Sequence, residues 1–197
     1  MAGPEYTRSV GGTWYEGSTL SVAIGQESSQ FTPIQLCNYA ATLANQGTRY
    51  KATFLKRVVS DDYTALLKFN EPVILSEFEI SDEAYQAYSE GMQLVAHDEN
   101  GTARDTFYYD DYPIRVCAKT GTAEHDAGEG VSDHAAFIVY APADNPESSI
   151  AVYGERAGSG ATMSAVARAI LDMYFEVGTI GDIPLYENLF AGLKLAT

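Results

Sequence analysis

Residues 114–123 read Ile-Arg-Val-Cys-Ala-Lys-Thr-Gly-Thr-Ala, and the predicted architecture is built around them. The segment Ile114–Lys119 predicts a β-strand that leads directly into Lys-Thr-Gly. Two further apolar segments, Ala135–Tyr140 and Ser149–Tyr153, predict strands joined by a proline-containing turn at residues 142–146. Because the connections between the strands are short, we expect them to form an antiparallel sheet.

Capping signals and apolar spacing predict three helices. The first begins at Thr32-Pro33, where Thr can cap and Pro wastes no hydrogen-bond donor, and it ends at Gly47 in a left-handed cap. The second begins at Ser81, with acidic residues in its first turn. The residues predicted to face the core are Ile34, Cys37, Ala41 and Ala44 in the first helix, Ala84, Tyr88, Met92 and Val95 in the second, and Met163, Val166, Ala167, Ile170, Leu171 and Tyr174 in the third.

The remaining segments complete an α+β fold, an antiparallel sheet flanked by helices. Phe54–Val59 and Tyr63–Phe69 predict a hairpin between the first two helices. Residues 1–30 are rich in Gly and Ser and predict an irregular approach loop of the same domain. Residues 31–177 form the main body of the domain, and residues 178–197 are assigned as a tail.

Size and charge restrict the possible functions. The chain has 197 residues, of which 46% are hydrophobic and 12% aromatic, as expected for one globular domain. It carries 27 acidic and 12 basic residues, for a formal net charge of -15. Such a surface repels phosphate backbones and anionic membranes, so nucleic-acid binding is not expected. No apolar run is long enough to span a bilayer.

The cysteines and histidines do not predict a metal or cofactor site. Cys37 and Cys117 are too few for a disulfide framework, and two buried thiols are the favoured interpretation, with a single bridge as the alternative. His97, His125 and His134 have no metal-ligand spacing. We therefore expect neither a metal nor a cofactor.

The segment Lys119-Thr120-Gly121-Thr122 has the residue types of a strand edge that binds substrate. Lys119 offers a cation for a substrate carboxylate, and the hydroxyls of Thr120 and Thr122 can anchor the same group. Gly121 allows a peptide backbone to approach closely, and an N–H beyond it can point at a developing oxyanion. A substrate would then lie along the edge as an added strand. A surface strand ending in a turn would also explain so short a motif.

Several further motifs follow one another along the chain and give the Lys-Thr-Gly triplet a context. They are Ala23-Ile24-Gly25-Gln26, Thr32-Pro33-Ile34-Gln35-Leu36, Leu43-Ala44-Asn45-Gln46-Gly47, Gly101-Thr102-Ala103, Ala118-Lys119-Thr120-Gly121-Thr122-Ala123-Glu124, His134-Ala135-Ala136-Phe137 and Tyr140-Ala141-Pro142-Ala143-Asp144-Asn145-Pro146. In this order they resemble the C-terminal half of the transpeptidase domain of a class B penicillin-binding protein, from roughly Trp14 to Phe175. The resemblance assigns residues 31–177 to that domain and implies a partial β-lactamase/transpeptidase-like fold.

The resemblance also implies a mechanism and a location. In this family a serine attacks the D-Ala-D-Ala carbonyl of a peptidoglycan stem peptide, and an amine from a neighbouring strand then accepts the acyl group. By similarity, Lys119 and Thr122 are the expected catalytic residues, and Thr120, Gly121 and Thr122 the expected substrate-binding residues. The whole protein would be membrane-anchored and extracytoplasmic and would react with β-lactams, whereas this chain alone would be soluble.

The two serine motifs of the family are missing from this chain. No serine has Lys three residues on, and none has Asn two residues on. The family uses a Ser-x-x-Lys for its nucleophile and a Ser-x-Asn for proton transfer. We therefore expect the isolated chain to be inactive and not to bind penicillin covalently.

Other functions fit part of the same pattern. A serine β-lactamase or carboxypeptidase also has Lys-Thr-Gly, although Thr32-Pro33-Ile34-Gln35-Leu36 and the turn at 142–146 argue against it. A non-catalytic sensor or binding relative could retain the fold without the nucleophile. If upstream elements normally complete the fold, the chain would also leave apolar surface or a sheet edge unpaired, and it could self-associate to cover it.

Overall fold

The computed structural model describes residues 2–108, 111–124 and 132–177, and they form the predicted α+β fold. Residues 125–131 and the predicted tail, 178–197, lie outside the described part. The helices are α1 (Pro4–Ser9), α2 (Glu16–Ala23), α3 (Pro33–Ala44), α4 (Asp82–His97), α5 (Arg104–Phe107) and α6 (Ser164–Tyr174), with a 3-10 turn at Gly160–Met163. The strands are β1 (Arg49–Tyr50), β2 (Arg57–Val59), β3 (Leu66–Phe69), β4 (Ile74–Ser76), β5 (Cys117–Ala123), β6 (His134–Ala141) and β7 (Ser148–Gly154).

The main sheet has three antiparallel strands in the order β5-β6-β7, as predicted. β5 begins at Cys117 rather than at Ile114, and it continues through the Lys-Thr-Gly motif to Ala123. The earlier start was wrong because the carbonyl of Arg115 accepts a hydrogen bond from the N–H of Ala143, in the loop after β6. In the register of β5 and β6 Arg115 would face Pro142, which has no N–H to donate, so the carbonyl of Arg115 pairs one residue further on and the ladder begins at Cys117.

The side chains of β6 separate the core into two clusters. Phe137 and Val139 pack with Leu171 of α6 on one face of the sheet. Tyr140 points to the other face and packs with Cys117 and with Met92 of α4. This alternation follows from the two-residue period of a strand, and it places a helix layer on each side of the sheet.

The predicted starts of α3 and α4 are confirmed by their caps. The hydroxyl of Thr32 accepts from the N–H of Gln35, whose side chain accepts in turn from the N–H of Thr32, which completes a capping box. The hydroxyl of Ser81 accepts from the N–H of Ala84. Gly47 has the predicted left-handed conformation, with φ of 103°, two residues beyond the C-cap of α3.

The predicted irregular conformation of residues 1–30 is wrong in part, because this segment contains α1 and α2. Pro4 lies at the first position of α1, where a missing N–H costs nothing. Both helices are short, and neither contains a buried residue. The Gly and Ser content that indicated a loop therefore reflects exposure, and the assignment of residues 1–30 to the same domain stays a prediction.

The predicted apolar faces of the helices are only partly correct. In α3 the buried residues are Ala40 and Thr42, whereas Ile34 is exposed. In α4 and α6 the central positions Met92 and Leu171 are buried as predicted. Four apolar residues on α6 are exposed instead: Val166, Ile170, Met173 and Tyr174. Periodicity identified the helices correctly, but it overestimated the fraction of each helix that the described residues cover.

The predicted hairpin is present with shorter strands. β2 and β3 pair around a turn in which the carboxylate of Asp62 accepts from the hydroxyls of Ser60 and Thr64. These bonds lower the pKa of Asp62 to about 2, with the bond from Ser60 the largest cause. β1 pairs with β4 in a separate two-stranded sheet, which was not predicted because both strands are very short.

Both cysteines are free thiols in the structure. Cys117 is buried as expected, and burial raises the pKa of its thiol. Cys37 is half-buried, with its Sγ 3.2 Å from the carbonyl oxygen of Ser149. Across the described ranges, no helix is long and apolar enough to cross a bilayer.

Candidate substrate-binding edge

The strand with the Lys-Thr-Gly motif lies at an edge of the main sheet. Among the described residues β5 pairs with β6 and with no other strand. Its first residue, Cys117, is buried against α4, whereas Lys119 and Thr122 are exposed. The second half of β5 therefore has the open edge that an extended peptide would need.

Lys119 hydrogen-bonds along this edge. Its Nζ donates to the carbonyl oxygen of Thr120 at 2.6 Å, so this carbonyl points away from β6. Backbone groups of alternate residues in a strand point to the same side. We therefore expect the N–H and C=O of Thr122 to face the open edge as well, where they can pair with an added strand.

Thr120 is tied to the turn that follows α4. Its Oγ1 lies 2.9 Å from Oγ1 of Thr102, so one of the two hydroxyls donates to the other. The turn is compact because the N–H of Gly101 donates to the carbonyl of Asp98 and that of Ala103 to the carbonyl of Val95. Gly101-Thr102-Ala103 is one of the sequence motifs, but a role of Thr102 at the site was not predicted from it.

The hydroxyl of Thr122 also has a partner within the chain. Its Oγ1 accepts a hydrogen bond from the N–H of Gly160 at 3.2 Å. Gly160 packs so closely that a Cβ there would lie 2.4 Å from the carbonyl oxygen of Gly121 and 2.6 Å from that of Ala136. Sequence reasoning missed this contact, and the only available signal was the small-residue run Gly158-Ser159-Gly160.

Gly121 itself is not required by packing within the chain. A Cβ at this position would lie 3.6 Å from Cβ of Ala136, which is an ordinary van der Waals contact. The glycine is therefore consistent with close approach by a group from outside the described residues, as the sequence analysis expected.

His97 anchors the start of the motif strand. Its Nε2 accepts a hydrogen bond from the N–H of Val116 at 2.9 Å. Burial, and to a smaller extent the charge of Arg115, lower the pKa of His97. The neutral ring keeps Nε2 as an acceptor and so ties the end of α4 to the residue before β5.

The structure thus brings the four predicted site residues onto one exposed half-strand, but it divides their side chains between two faces. Thr120 and Thr122 share a face with Phe137, whereas Lys119 lies on the opposite face by alternation. Such an edge can hold an extended peptide and attract its carboxylate.

Within the described ranges no group of three His, Cys, Asp or Glu side chains is placed to hold a metal ion.

The sequence and the fold match a known protein family. The model of the penicillin-binding protein transpeptidase domain matches residues 3–172. The chain therefore belongs to the penicillin-binding protein transpeptidase family, and it corresponds to a part of that domain. The relatives place it with the class B penicillin-binding proteins, as the sequence motifs predicted.

Two relatives illustrate the match. The chain is 32% identical over 175 residues to the peptidoglycan D,D-transpeptidase MrdA of Haemophilus influenzae, covering 82% of this chain and 26% of the relative. It is 30% identical to Pseudomonas aeruginosa PBP2, solved in complex with WCK 5153, with a TM-score of 0.70 over 88% of this chain and 36% of that one. The chain thus spans about a quarter of the length of the curated relatives it matches.

A third relative has been solved as an acyl-enzyme complex. Penicillin-binding protein A of Mycobacterium tuberculosis has been solved as an imipenem acyl-enzyme complex. It is 25% identical to this chain, with a TM-score of 0.61 over 79% of this chain and 33% of that one.

Proposed function

We propose that this chain forms the Lys-Thr-Gly wall of the active site of a longer peptidoglycan D,D-transpeptidase. That protein crosslinks stem peptides ending in D-Ala-D-Ala by serine acyl transfer. The observation that carries the proposal is the position of the motif, which lies on the exposed half of an edge strand and includes Lys119. The serine nucleophile is supplied by residues outside this chain.

In the proposed complex the stem peptide adds to the edge of β5. Lys119 exchanges its bond to the carbonyl of Thr120 for the substrate carboxylate, a stronger acceptor because it is charged. The hydroxyls of Thr120 and Thr122, held in position by Thr102 and Gly160, contact the peptide from the opposite face of the strand. The N–H of Thr122 supplies one donor to the oxyanion that forms at the attacked carbonyl.

Labelling with a fluorescent penicillin tests this function. The 197-residue chain should remain unlabelled, because no serine in it has Lys three residues on. The longer protein, expressed with its upstream segment, should be labelled, and its Lys119→Ala variant should be labelled at least about tenfold more slowly. The readout is in-gel fluorescence after denaturation, with labelled peptides located by mass spectrometry.

Two results of this experiment contradict the proposal. Labelling of the 197-residue chain at any serine would show that it contains a nucleophile of its own. Failure of the folded longer protein to react would indicate a non-catalytic binding or sensor relative instead.

We place the longer protein at the extracytoplasmic face of the bacterial membrane, where it is anchored and meets its stem-peptide substrate. The support is the family, whose named relatives are peptidoglycan D,D-transpeptidases. β-Lactams would react only with the longer protein, since the covalent bond requires the serine.

We also propose that the isolated chain self-associates through α6 and β7. Among the described residues β7 pairs only with β6, so its outer edge is open. α6 contacts β7, and four of its apolar residues are exposed: Val166, Ile170, Met173 and Tyr174. An open edge beside an apolar helix face favours pairing with a second copy, although the net charge of -15 opposes it at low salt.

Sedimentation velocity in 0.5 M NaCl, roughly the regime in which surface charges are screened, tests this association. The chain should show a concentration-dependent dimer, and Ile170→Glu should remain a monomer because the new charge would have to be buried. Leu94→Glu is the matched control, since Leu94 is also an exposed apolar residue, on α4. A chain that stays monomeric throughout, or an equal loss of dimer in both variants, would refute this interface.

A further inference from the structure

A groove of about 570 Å³ lies between α4 and the chain segments that border the sheet. One side consists of three residues at successive turns of α4: Tyr85, Ser89 and Gln93. The other side comes from residues 113–115, which lead into β5, and from residues 142–144, which follow β6. Residues 119–122 are not part of its lining. This volume matches that of sites for small ligands and short peptides.

The groove contains the exposed guanidinium of Arg115, which has no carboxylate partner among the described residues. Nε of Arg115 donates to Oε1 of Gln93 at 3.0 Å, which fixes the plane of the side chain. Neither of its terminal nitrogens has an acceptor among the described residues, and no carboxylate there forms an ion pair with it. In a chain with 27 acidic residues, an arginine without a carboxylate partner in a groove is available for an anionic ligand.

The rest of the lining limits the kind of anion. Ser89 is buried, and its hydroxyl accepts from Nε2 of Gln93 at 3.4 Å, so the polar side of the groove is already organised. Ile114 and the two prolines, Pro113 and Pro142, provide apolar surface for an uncharged body. Asp144 also lines the groove and disfavours a second negative charge.

From these features we infer that the groove binds a short, largely apolar peptide through its single free carboxylate. The carboxylate pairs with the two terminal nitrogens of Arg115, the geometry in which a guanidinium binds carboxylates best. The peptide body lies against Ile114 and the prolines. A singly charged ligand fits better than a phosphate, because Asp144 would repel the additional charge.

The experiment uses the 197-residue chain and acetyl-trialanine with a free carboxylate as the probe. In ¹H–¹⁵N spectra the probe should saturate with a Kd on the order of 1 mM, as expected for a ligand of this size. The shifted amides should be those of Ser89, Gln93 and Arg115. The C-terminal amide of the same peptide should bind at least about tenfold more weakly, because it lacks the charged acceptor.

Two variants test whether Arg115 is responsible. Arg115→Gln should weaken binding of the free-acid peptide at least about tenfold, since a charge-assisted pair is lost. Arg57→Gln is the matched control, because Arg57 is an exposed arginine of β2 outside the groove. This variant should bind the free-acid peptide with an affinity within about twofold of that of the unmodified chain. The spectrum of each variant also reports whether it is folded.

Three results would overturn the inference. The first is equal binding of the free-acid peptide and its amide by the unmodified chain. This comparison does not depend on the folding of any variant. The second is an equal loss in Arg115→Gln and Arg57→Gln, which would indicate non-specific attraction. The third is a set of shifts confined to residues 119–122, which would place the probe on the edge of β5 instead.

Discussion

Replacement of Phe137 by alanine is expected to lower the free energy of unfolding by about 3–5 kcal/mol. Phe137 is fully buried in the middle of β6, and its ring stacks on that of Phe107 with centroids 6.5 Å apart. The substitution removes a large apolar side chain and leaves a cavity that the flanking strands can only partly fill. Because domains are stable by about 5–15 kcal/mol, much of the total would be lost. Urea unfolding followed by circular dichroism measures the change.

The same substitution should also disturb the candidate site. Phe137 lies directly opposite Thr120 in the antiparallel register, on the same face of the sheet. Loss of the ring removes support beneath this strand pair, so the amide signals of Thr120 and Thr102 should shift in the folded variant. Leu67→Ala is the matched control, because Leu67 is exposed on β3 and should change stability by no more than about 0.5 kcal/mol. Equal destabilisation by both substitutions would contradict the described core.

Gly160→Ala is expected to destabilise the chain by about 1–3 kcal/mol, although it adds only one methyl group. The new Cβ would lie 2.4 Å from the carbonyl oxygen of Gly121, 2.6 Å from its nitrogen and 2.6 Å from the carbonyl oxygen of Ala136. All three atoms belong to the backbone of β5 and β6, so no side chain can rotate away. To relieve these close contacts, the turn at Gly160–Met163 must move away from the sheet. This movement would stretch the hydrogen bond from the N–H of Gly160 to Oγ1 of Thr122.

Gly91→Ala provides a control with the opposite sign. Gly91 lies inside α4, and a Cβ there would meet no atom within 4 Å. Alanine should therefore stabilise the chain by about 0.5–1 kcal/mol, since glycine is the poorer helix former. Chemical denaturation of both variants gives the two differences. If Gly160→Ala unfolded at the same denaturant concentration as the unmodified chain, the close contact with β5 would be wrong.

Local signals predicted most of the elements. The Thr32 and Ser81 caps were visible because a capping residue acts within its own helical turn. β6 and β7 were predicted almost at their observed bounds, since an apolar run between turn residues identifies a buried strand. Elements defined by local chemistry are the ones that a single sequence predicts best.

The errors arose where distant contacts decide the outcome. β5 starts late because Arg115 pairs with Ala143 from the far end of β6, a contact that no window around residue 114 contains. The apolar stripe of α6 predicts a buried helix, but which of its residues are covered depends on what packs beside it, and Ile170 is exposed. For the same reason the contribution of Gly160 to the site had no recognisable sequence signal.

By itself the sequence determined the three main helices of this protein, its antiparallel sheet and, through several motifs in one order, its family. Only the tertiary structure decided that the Lys-Thr-Gly strand is an edge among the described residues, that Thr102 and Gly160 hold its two threonines, and that Arg115 lines a groove in which no described carboxylate pairs with it. The physical reason is the separation along the chain over which each interaction acts. Capping and periodicity act over a few residues, whereas an edge, a close backbone approach or a groove exists only once residues far apart in the chain have packed together.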